Sequence, residues 1–231
     1  MQINGFNKLT LLDYPKHLAA TIFIGGCNLR CPFCHNASLV TSPGSQPVFP
    51  KEEVLSTLAK RKGILEGVCI TGGEPTLYTE LPDFIKEIKD LGFKVKLDTN
   101  GTNPSMMKSL VADKLIDYVA MDIKNSKEKY PLTSGIQKLS IDKIEESIFY
   151  LLSNSVDYEF RTTVVAEHHQ ESDMHSIGQW IQGAKSYYLQ AYQDSGDILS
   201  PGLSCPPKET LLRFTHILSD YIEYVALRGI E

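Results

Sequence analysis

Ala20-Thr-Ile-Phe-Ile-Gly-Gly-Cys-Asn-Leu-Arg-Cys-Pro-Phe-Cys-His-Asn36 is the stretch on which the architecture turns. Ala20–Ile24 is a short apolar run rich in β-branched residues, which reads as a buried strand. Gly25-Gly26 cuts it off, and three cysteines follow at once. The same order, apolar run, turn, then helical pattern, returns along the chain. Strands are predicted at Ala20–Ile24, Gly67–Thr71, Lys94–Asp98, Tyr118–Asp122, Tyr158–Val164 and Tyr187–Ala191. Helices are predicted at Lys51–Lys62, Glu80–Leu91, Pro104–Ala112, Ile141–Leu152 and Met174–Ala184, and from Pro207 to about Val225. Gly63 and Gly92 read as C-caps. Six β-then-α units in strict order predict an α/β fold with a parallel sheet and helices packed outside it. Right-handed crossovers permit an open doubly wound sheet or a barrel segment, and the pattern leaves both open. In either fold, ligands bind at the carboxyl ends of the strands. A motif just after a strand is therefore a candidate site.

Composition narrows the class. The chain has 231 residues, which predicts a single domain with a sizeable core. Apolar residues make up 42% and charged residues 22%, and 16 glycines with 12 prolines are ordinary, which excludes collagen-like and disordered chains. A net charge of −5 lacks the broad basic field of non-specific nucleic-acid binding, so no nucleic-acid partner is expected. Leu18 to Cys27, the longest nearly uncharged apolar stretch, is about half the length of a membrane span, so no membrane partner is expected. The N-terminal MQINGFNKLTLLDYPK has no continuous apolar core and carries Asp13, unlike a secretory signal. A cytoplasmic location follows, where disulfides are rare and five cysteines read as ligands or core residues. One run of turn formers, Thr41–Pro47, reads as a loop.

The spacing Cys27-x3-Cys31-x2-Cys34 lets three thiolates on one short loop converge on a metal centre. Thiolate sulfur selects zinc or an iron–sulfur cluster. A [4Fe–4S] cubane held by three cysteines leaves one iron open to an exogenous chelate. A structural zinc site of Cys27, Cys31, Cys34 and His35 is the alternative, although zinc sites usually draw ligands in pairs from two separated knuckles. Three ordinary buried cysteines are the third reading.

Behind the second strand stands Val68-Cys-Ile-Thr-Gly-Gly-Glu-Pro75. Its glycines permit positive φ and close approach to a small polar ligand, and Glu74 could orient an ammonium. CxxxCxxC after a first strand with GGEP after a second resembles the radical S-adenosylmethionine family. That resemblance implies a partial (β/α)6, TIM-like barrel with its cluster and S-adenosylmethionine at the C-terminal ends of the strands. It implies that Cys27, Cys31 and Cys34 hold a [4Fe–4S] cluster whose open iron chelates the methionine amino and carboxylate groups. It places Phe33 by the adenine, and Gly72, Gly73 and Glu74 at the methionine amino group.

The third and fourth strands end in Asp98-Thr-Asn-Gly101 and Asp122-Ile-Lys124. Two close carboxylates repel unless a cation or a lysine neutralises them. N-capping and turn formation would equally explain Asp98 and Asn100. DTNG and DxK resemble glycyl-radical-enzyme activases, which implies Lys124 near S-adenosylmethionine and a monovalent cation held by Asp98 and Asp122. Asp98 is carried over as a cofactor contact on the same basis. Arg161, inside the fifth strand, needs a partner: a carboxylate, a ribose hydroxyl at the mouth, or a surface acid. Gln193 stands where related activases often carry a histidine near the nucleoside, a departure from the pattern. His168-His169 reads as a surface loop, since adjacent side chains point apart. Cys69 reads as core. Cys205 lies in a proline-rich loop, and Tyr187, Tyr188 and Tyr192 read as packing.

Leu11-Leu-Asp-Tyr-Pro15, Cys-His-Asn36 and Val225-Ala-Leu-Arg-Gly229 resemble the activases of anaerobic ribonucleotide reductase. Pyruvate formate-lyase activases share most of these features. With only Cys69 and Cys205 left over, a second cluster is not expected. The resemblance implies reductive cleavage of S-adenosylmethionine and removal of a hydrogen from a glycine Cα of a partner enzyme, with flavodoxin or ferredoxin as reductant. Another glycyl radical enzyme, a small-molecule substrate and a non-enzymatic zinc-binding module are the alternatives.

Overall fold

In the computed structural model, which describes residues 1–230, the apolar runs are strands and the amphipathic stretches are helices. In chain order the elements are β1 (Ile3–Thr10), β2 (Ala19–Ile24), α1 (Ala37–Thr41), α2 (Lys51–Ala59), β3 (Gly67–Gly72), α3 (Leu81–Asp90), β4 (Lys94–Thr99) and α4 (Pro104–Ala112). Then follow β5 (Tyr118–Asp122), α5 (Tyr130–Ser134), α6 (Ile141–Leu152), β6 (Asp157–Val164), α7 (Glu171–Trp180), β7 (Ser186–Ala191), α8 (Lys208–Ser219) and β8 (Tyr224–Arg228). The class is α/β with mostly parallel strands, as predicted. Among the described residues the chain gathers in two compact units: Met1–Asn28 with Ser38–Ala120, and Leu29–Ala37 with the chain from Met121 onward. The cysteine motif is thereby divided, Cys27 belonging to the first unit and Cys31 and Cys34 to the second.

In the first unit, β1 runs antiparallel to β2, while β2, β3 and β4 are parallel. The register pairs Ile24 with Gly72 and Cys69 with Lys96, so β2 and β3 end level with each other. Helices α2 and α3 cover this sheet. Val54 and Leu58 of α2, and Leu81, Phe84, Ile85 and Ile88 of α3, are buried with Ile22, Ile24, Ile70 and Leu97. The spacing of those α3 residues puts them on one helical face. Gly92, with φ of +93°, follows α3 as a glycine C-cap should. Gly63 is different: α2 already ends at Ala59, and Gly63 turns the chain farther on. The Thr41–Pro47 loop is pinned by Asn4, whose Nδ2 donates to the carbonyls of Pro43 and Pro47 at 3.1 Å each.

In the second unit, β6, β7 and β8 are parallel. Alternate residues, Phe160, Thr162 and Val164 on β6 and Tyr187, Leu189 and Ala191 on β7, are buried. The intervening Arg161, Thr163, Tyr188 and Gln190 lie on the opposite face and are half-buried. Arg228 of β8 makes two bonds to the wholly buried Glu159, at 2.7 and 2.8 Å, with its guanidinium 3.4 Å from the centre of the Tyr188 ring.

All six predicted strands are present to within a residue at each end. Two strands were not predicted. β1 is an edge strand whose exposed half breaks the apolar alternation. β8 falls where the last helix is predicted to continue; α8 stops at Ser219 and Tyr224–Arg228 is strand. Helix α7 starts three residues before the predicted Met174, because Gln170 and Asp173 form a reciprocal capping box. Among the described residues, no helix is long and apolar enough to cross a membrane.

Candidate active site

In the first unit the two strand-end motifs form one backbone structure. The N–H groups of Gly73 and Glu74 donate to the carbonyls of Ile24 and Gly26, both at 2.8 Å. A Cβ on Gly73 would lie 1.9 Å from the Gly26 oxygen, and one on Gly72 would lie 2.4 Å from the Ile24 oxygen. Gly72 also has φ of +115°. These glycines let the end of β3 lie directly against the base of the cysteine loop. Tyr78 completes the fixation, its hydroxyl donating to the Gly25 carbonyl at 2.5 Å.

Glu74 has a use other than the ammonium-orienting one. Its side chain is fully buried, and Oε1 accepts from Thr76 N–H at 3.1 Å, Thr76 Oγ1 at 2.5 Å and Thr99 Oγ1 at 2.8 Å. Oε2 accepts from Asn100 N–H at 2.6 Å. Burial pushes the carboxyl pKa up, while these hydrogen bonds oppose that shift. Glu74 thus clasps the end of β3 to the end of β4. Asn100 extends the clasp, its Nδ2 lying 3.8 Å from Cys27 Sγ and 3.0 Å from Asn28 Oδ1. This support of Cys27 is a role that the turn-forming reading of Asn100 does not contain. Asp98, on β4, has Oδ1 2.5 Å from Lys96 Nζ.

In the second unit, Cys34 N–H donates to the Cys31 carbonyl at 3.0 Å, so both thiols belong to one tight turn. That segment is held on two sides. Arg30 N–H donates to Ser134 O at 2.8 Å, and Ser200 N–H to Pro32 O at 3.0 Å. Phe33 is buried, with its ring centroid 6.3 Å from those of His168 and His169. Burial pushes the Cys31 and Cys34 thiols up, while the Lys124 ammonium works in the opposite direction on both.

Lys124 belongs to a three-membered charge set. Its Nζ is 2.9 Å from Asp122 Oδ2, and Arg161 Nε is 3.0 Å from Asp122 Oδ1. Burial works against the Asp122 carboxylate, but Lys124 and Arg161 bring its pKa down to about 2. Lys124 is held above the ordinary lysine range in return: burial opposes the ammonium and Asp122 outweighs it. Asp98 and Asp122 therefore each have a cationic side chain already, Lys96 and the Lys124–Arg161 pair respectively.

His169 is a correction to the surface-loop reading. It is 3% exposed; its Nδ1 lies 3.1 Å from Val165 N–H and its Nε2 3.0 Å from the Lys124 carbonyl. Nδ1 also lies 3.2 Å from the Val165 carbonyl, so backbone groups hold the ring at both nitrogens. The imidazole thereby ties the end of β5 to the turn after β6. His168 Nε2 and the Tyr192 hydroxyl are buried without hydrogen-bond partners. Gln193 reaches sideways to the Gly229 carbonyl at 3.4 Å. His35 packs on Tyr192, ring centroids 5.6 Å apart. Cys69 is core, as predicted, and Cys205 is exposed.

No disulfide ties up Cys27, Cys31 or Cys34, and Lys124 supplies positive charge beside the second and third thiols. This soft donor set fits an iron–sulfur cluster.

Comparison with known proteins agrees. Residues 21–181 match the model of the radical SAM superfamily. A Methanocaldococcus jannaschii protein named as a glycyl-radical enzyme activating enzyme is 32% identical over 236 residues, covering 99% of this chain and 96% of its own. The pyruvate formate-lyase 1-activating enzyme of Escherichia coli is 25% identical over 240 residues, with 95% and 96% covered. Among solved structures, Streptococcus suis SuiB superposes with a TM-score of 0.70 at 16% identity, covering 91% of this chain and 49% of that one. That likeness carries the fold, and supports the partial-barrel expectation over a doubly wound sheet. A superfamily match over most of the chain, and a near full-length relative, identify the protein as a radical SAM enzyme of the glycyl-radical enzyme activating family.

Proposed function

We propose that this enzyme installs a glycyl radical on anaerobic ribonucleotide reductase. The observation that carries the chemistry is the union of the GGEP segment with the base of the cysteine loop, through Gly73 and Glu74 N–H bonds and glycines that admit no Cβ. Cys27, Cys31 and Cys34 would hold a [4Fe–4S] cluster. When bound, such a cluster supplies the electron that cleaves S-adenosylmethionine to methionine and a 5′-deoxyadenosyl radical. The chain's own residues position the reactants and exclude water. Lys124 offsets negative charge at Cys31 and Cys34. Asp122, fixed by Lys124 and Arg161, presents a carboxylate of set direction. Phe33 offers an aromatic edge for the adenine. Gly72 and Gly73 offer backbone groups, and Asp98 a carboxylate, to S-adenosylmethionine. No side chain need act as an acid or base, because the partner's glycine loses a hydrogen atom rather than a proton.

The choice of partner rests on LLDYP before the first parallel strand, CHN after the last cluster cysteine, and VALRG in the closing strand. A reductant such as flavodoxin or ferredoxin, in a reducing cytoplasm, completes the scheme. The deciding experiment is anaerobic electron paramagnetic resonance of the reconstituted, reduced protein with S-adenosylmethionine and the anaerobic ribonucleotide reductase of its source organism. The expected result is a glycyl radical doublet that needs every component. 5′-Deoxyadenosine without a doublet rejects this partner in favour of another glycyl radical enzyme. Absence of both, with an intact cluster and tight S-adenosylmethionine binding, rejects the activase reading.

A further inference from the structure

Lys96 is out of place by composition. It lies in the middle of β4 between Val95 and Leu97, and its side chain is 2% exposed. An ammonium in such a core is costly unless it is paired and hydrogen-bonded. Its partners include Asp98 Oδ1 at 2.5 Å and Cys69 Sγ at 3.8 Å. Residues 96 and 98 share one face of the strand, and the parallel register sets Cys69 beside Lys96. Asp98 stands farther along, at the strand's C-terminal end, with 13% of its side chain exposed. Asn100, two residues on, supports Cys27. A buried ion pair seldom stabilises a core more than an apolar pair of the same size. Stability alone therefore does not account for a lysine here, whereas control of the carboxylate at the strand end does.

We propose that Lys96 is the positioning residue for Asp98, fixing the direction in which that carboxylate meets the ammonium or ribose hydroxyls of S-adenosylmethionine. The proposal rests on the functional reading above, in which Asp98 is a contact to that molecule. Lys96 acts through Asp98.

The test is a double-variant cycle on the cluster-reconstituted protein: wild type, Lys96→Met, Asp98→Asn, and both together. Two quantities are read, S-adenosylmethionine affinity by equilibrium dialysis and thermal midpoint. Lys96→Met and Asp98→Asn should each weaken binding about tenfold or more, and the double variant no further than the weaker single. Lys96→Met should also lower the midpoint, by taking the ammonium away from Asp98, and the double variant should regain much of it. Stability regained without affinity is a pattern that a purely structural lysine does not produce. Affinity that returns with stability in the double variant overturns the proposal, and so does wild-type affinity in a folded Lys96→Met protein. If Lys96→Met does not fold, Asp98→Asn against the double variant decides: a further loss of affinity on removing Lys96 overturns it. A wild-type protein that holds its cluster but binds no S-adenosylmethionine overturns the functional reading as well.

Discussion

Glu74 and Asp122 occupy comparable places, each at or just beyond the C-terminal end of a strand, yet their surroundings make them opposites. Glu74 is fully buried and receives only neutral donors, from Thr76, Thr99 and Asn100. Burial pushes its pKa up. Asp122 keeps 28% of its side chain exposed and receives two cations, which bring it down to about 2. An acid among amides and hydroxyls is a clasp that fixes backbone. An acid between an ammonium and a guanidinium is a charge fixed in direction and still in reach of solvent. At the end of β3 the first unit thus relies on close backbone packing, and at the end of β5 the second unit relies on charge.

The comparison breaks most visibly at the cysteines. Cys31→Ala should abolish S-adenosylmethionine cleavage, read as 5′-deoxyadenosine formed anaerobically, while leaving the first unit's packing intact. Wild-type turnover in that variant would remove the cluster from the account. Next in size is Gly73→Ala, which forces a Cβ against the Gly26 carbonyl; urea unfolding should register a loss of about 3 kcal/mol or more. Gly44→Ala is its control, because nothing lies within 4 Å of a Cβ there, and it should stay within about 0.5 kcal/mol of wild type. Equal effects at the two glycines would undo the packing half of the comparison.

Glu74→Gln sharpens it further. The two carboxylate oxygens accept from different backbone N–H groups, and an amide can offer only one oxygen, so one donor is left facing another. The expected cost is about 1–3 kcal/mol. No measurable loss would mean that the clasp is incidental.

The smallest effect is a pH slope. Burial lowers the pKa of His169, so its neutral ring is favoured in the folded state. Below about pH 6.5, the ordinary histidine value, the unfolded chain takes up the proton more readily. His169 therefore contributes stability that is present above that pH and is lost as pH falls through the folded pKa. Stability measured from pH 7 down to pH 5 should fall less steeply in His169→Gln than in wild type. Parallel slopes would show that another group carries the dependence.

Much of this was legible in the residues. The buried parallel strands announce themselves as apolar runs because both of their faces are covered, or nearly so. β1 and β8 escape because an edge strand needs no such pattern. Gly5, Asn7 and Lys8 interrupt β1, and Tyr224–Arg228 follows a helix without a glycine or proline stop. The cysteine motif and GGEP were visible as candidate site segments. The burial of Glu74 was not, because its partners Thr99 and Asn100 come from another strand end. The one hint was a second set of turn residues, Thr-Asn-Gly101, at that strand end. Lys96 left a plainer signal, a lone cation inside the apolar run Val95 to Leu97. His169 left none: its neighbours His168 and Gln170 are polar, and only the Val165 and Lys124 backbone explains its burial.

Sequence by itself determined what depends on local order: the period of the strands, the three-thiol spacing, the glycines before and after each motif, and with them the chemistry. Tertiary structure alone decided which oxygen meets which donor. It turned Glu74 inward to neutral partners and set Asp122 between two cations, although both are acids at strand ends. The physical reason is that hydrogen bonding and charge pairing act over about 3 Å between atoms. Residues far apart in the chain reach that distance only after the strands have found their register.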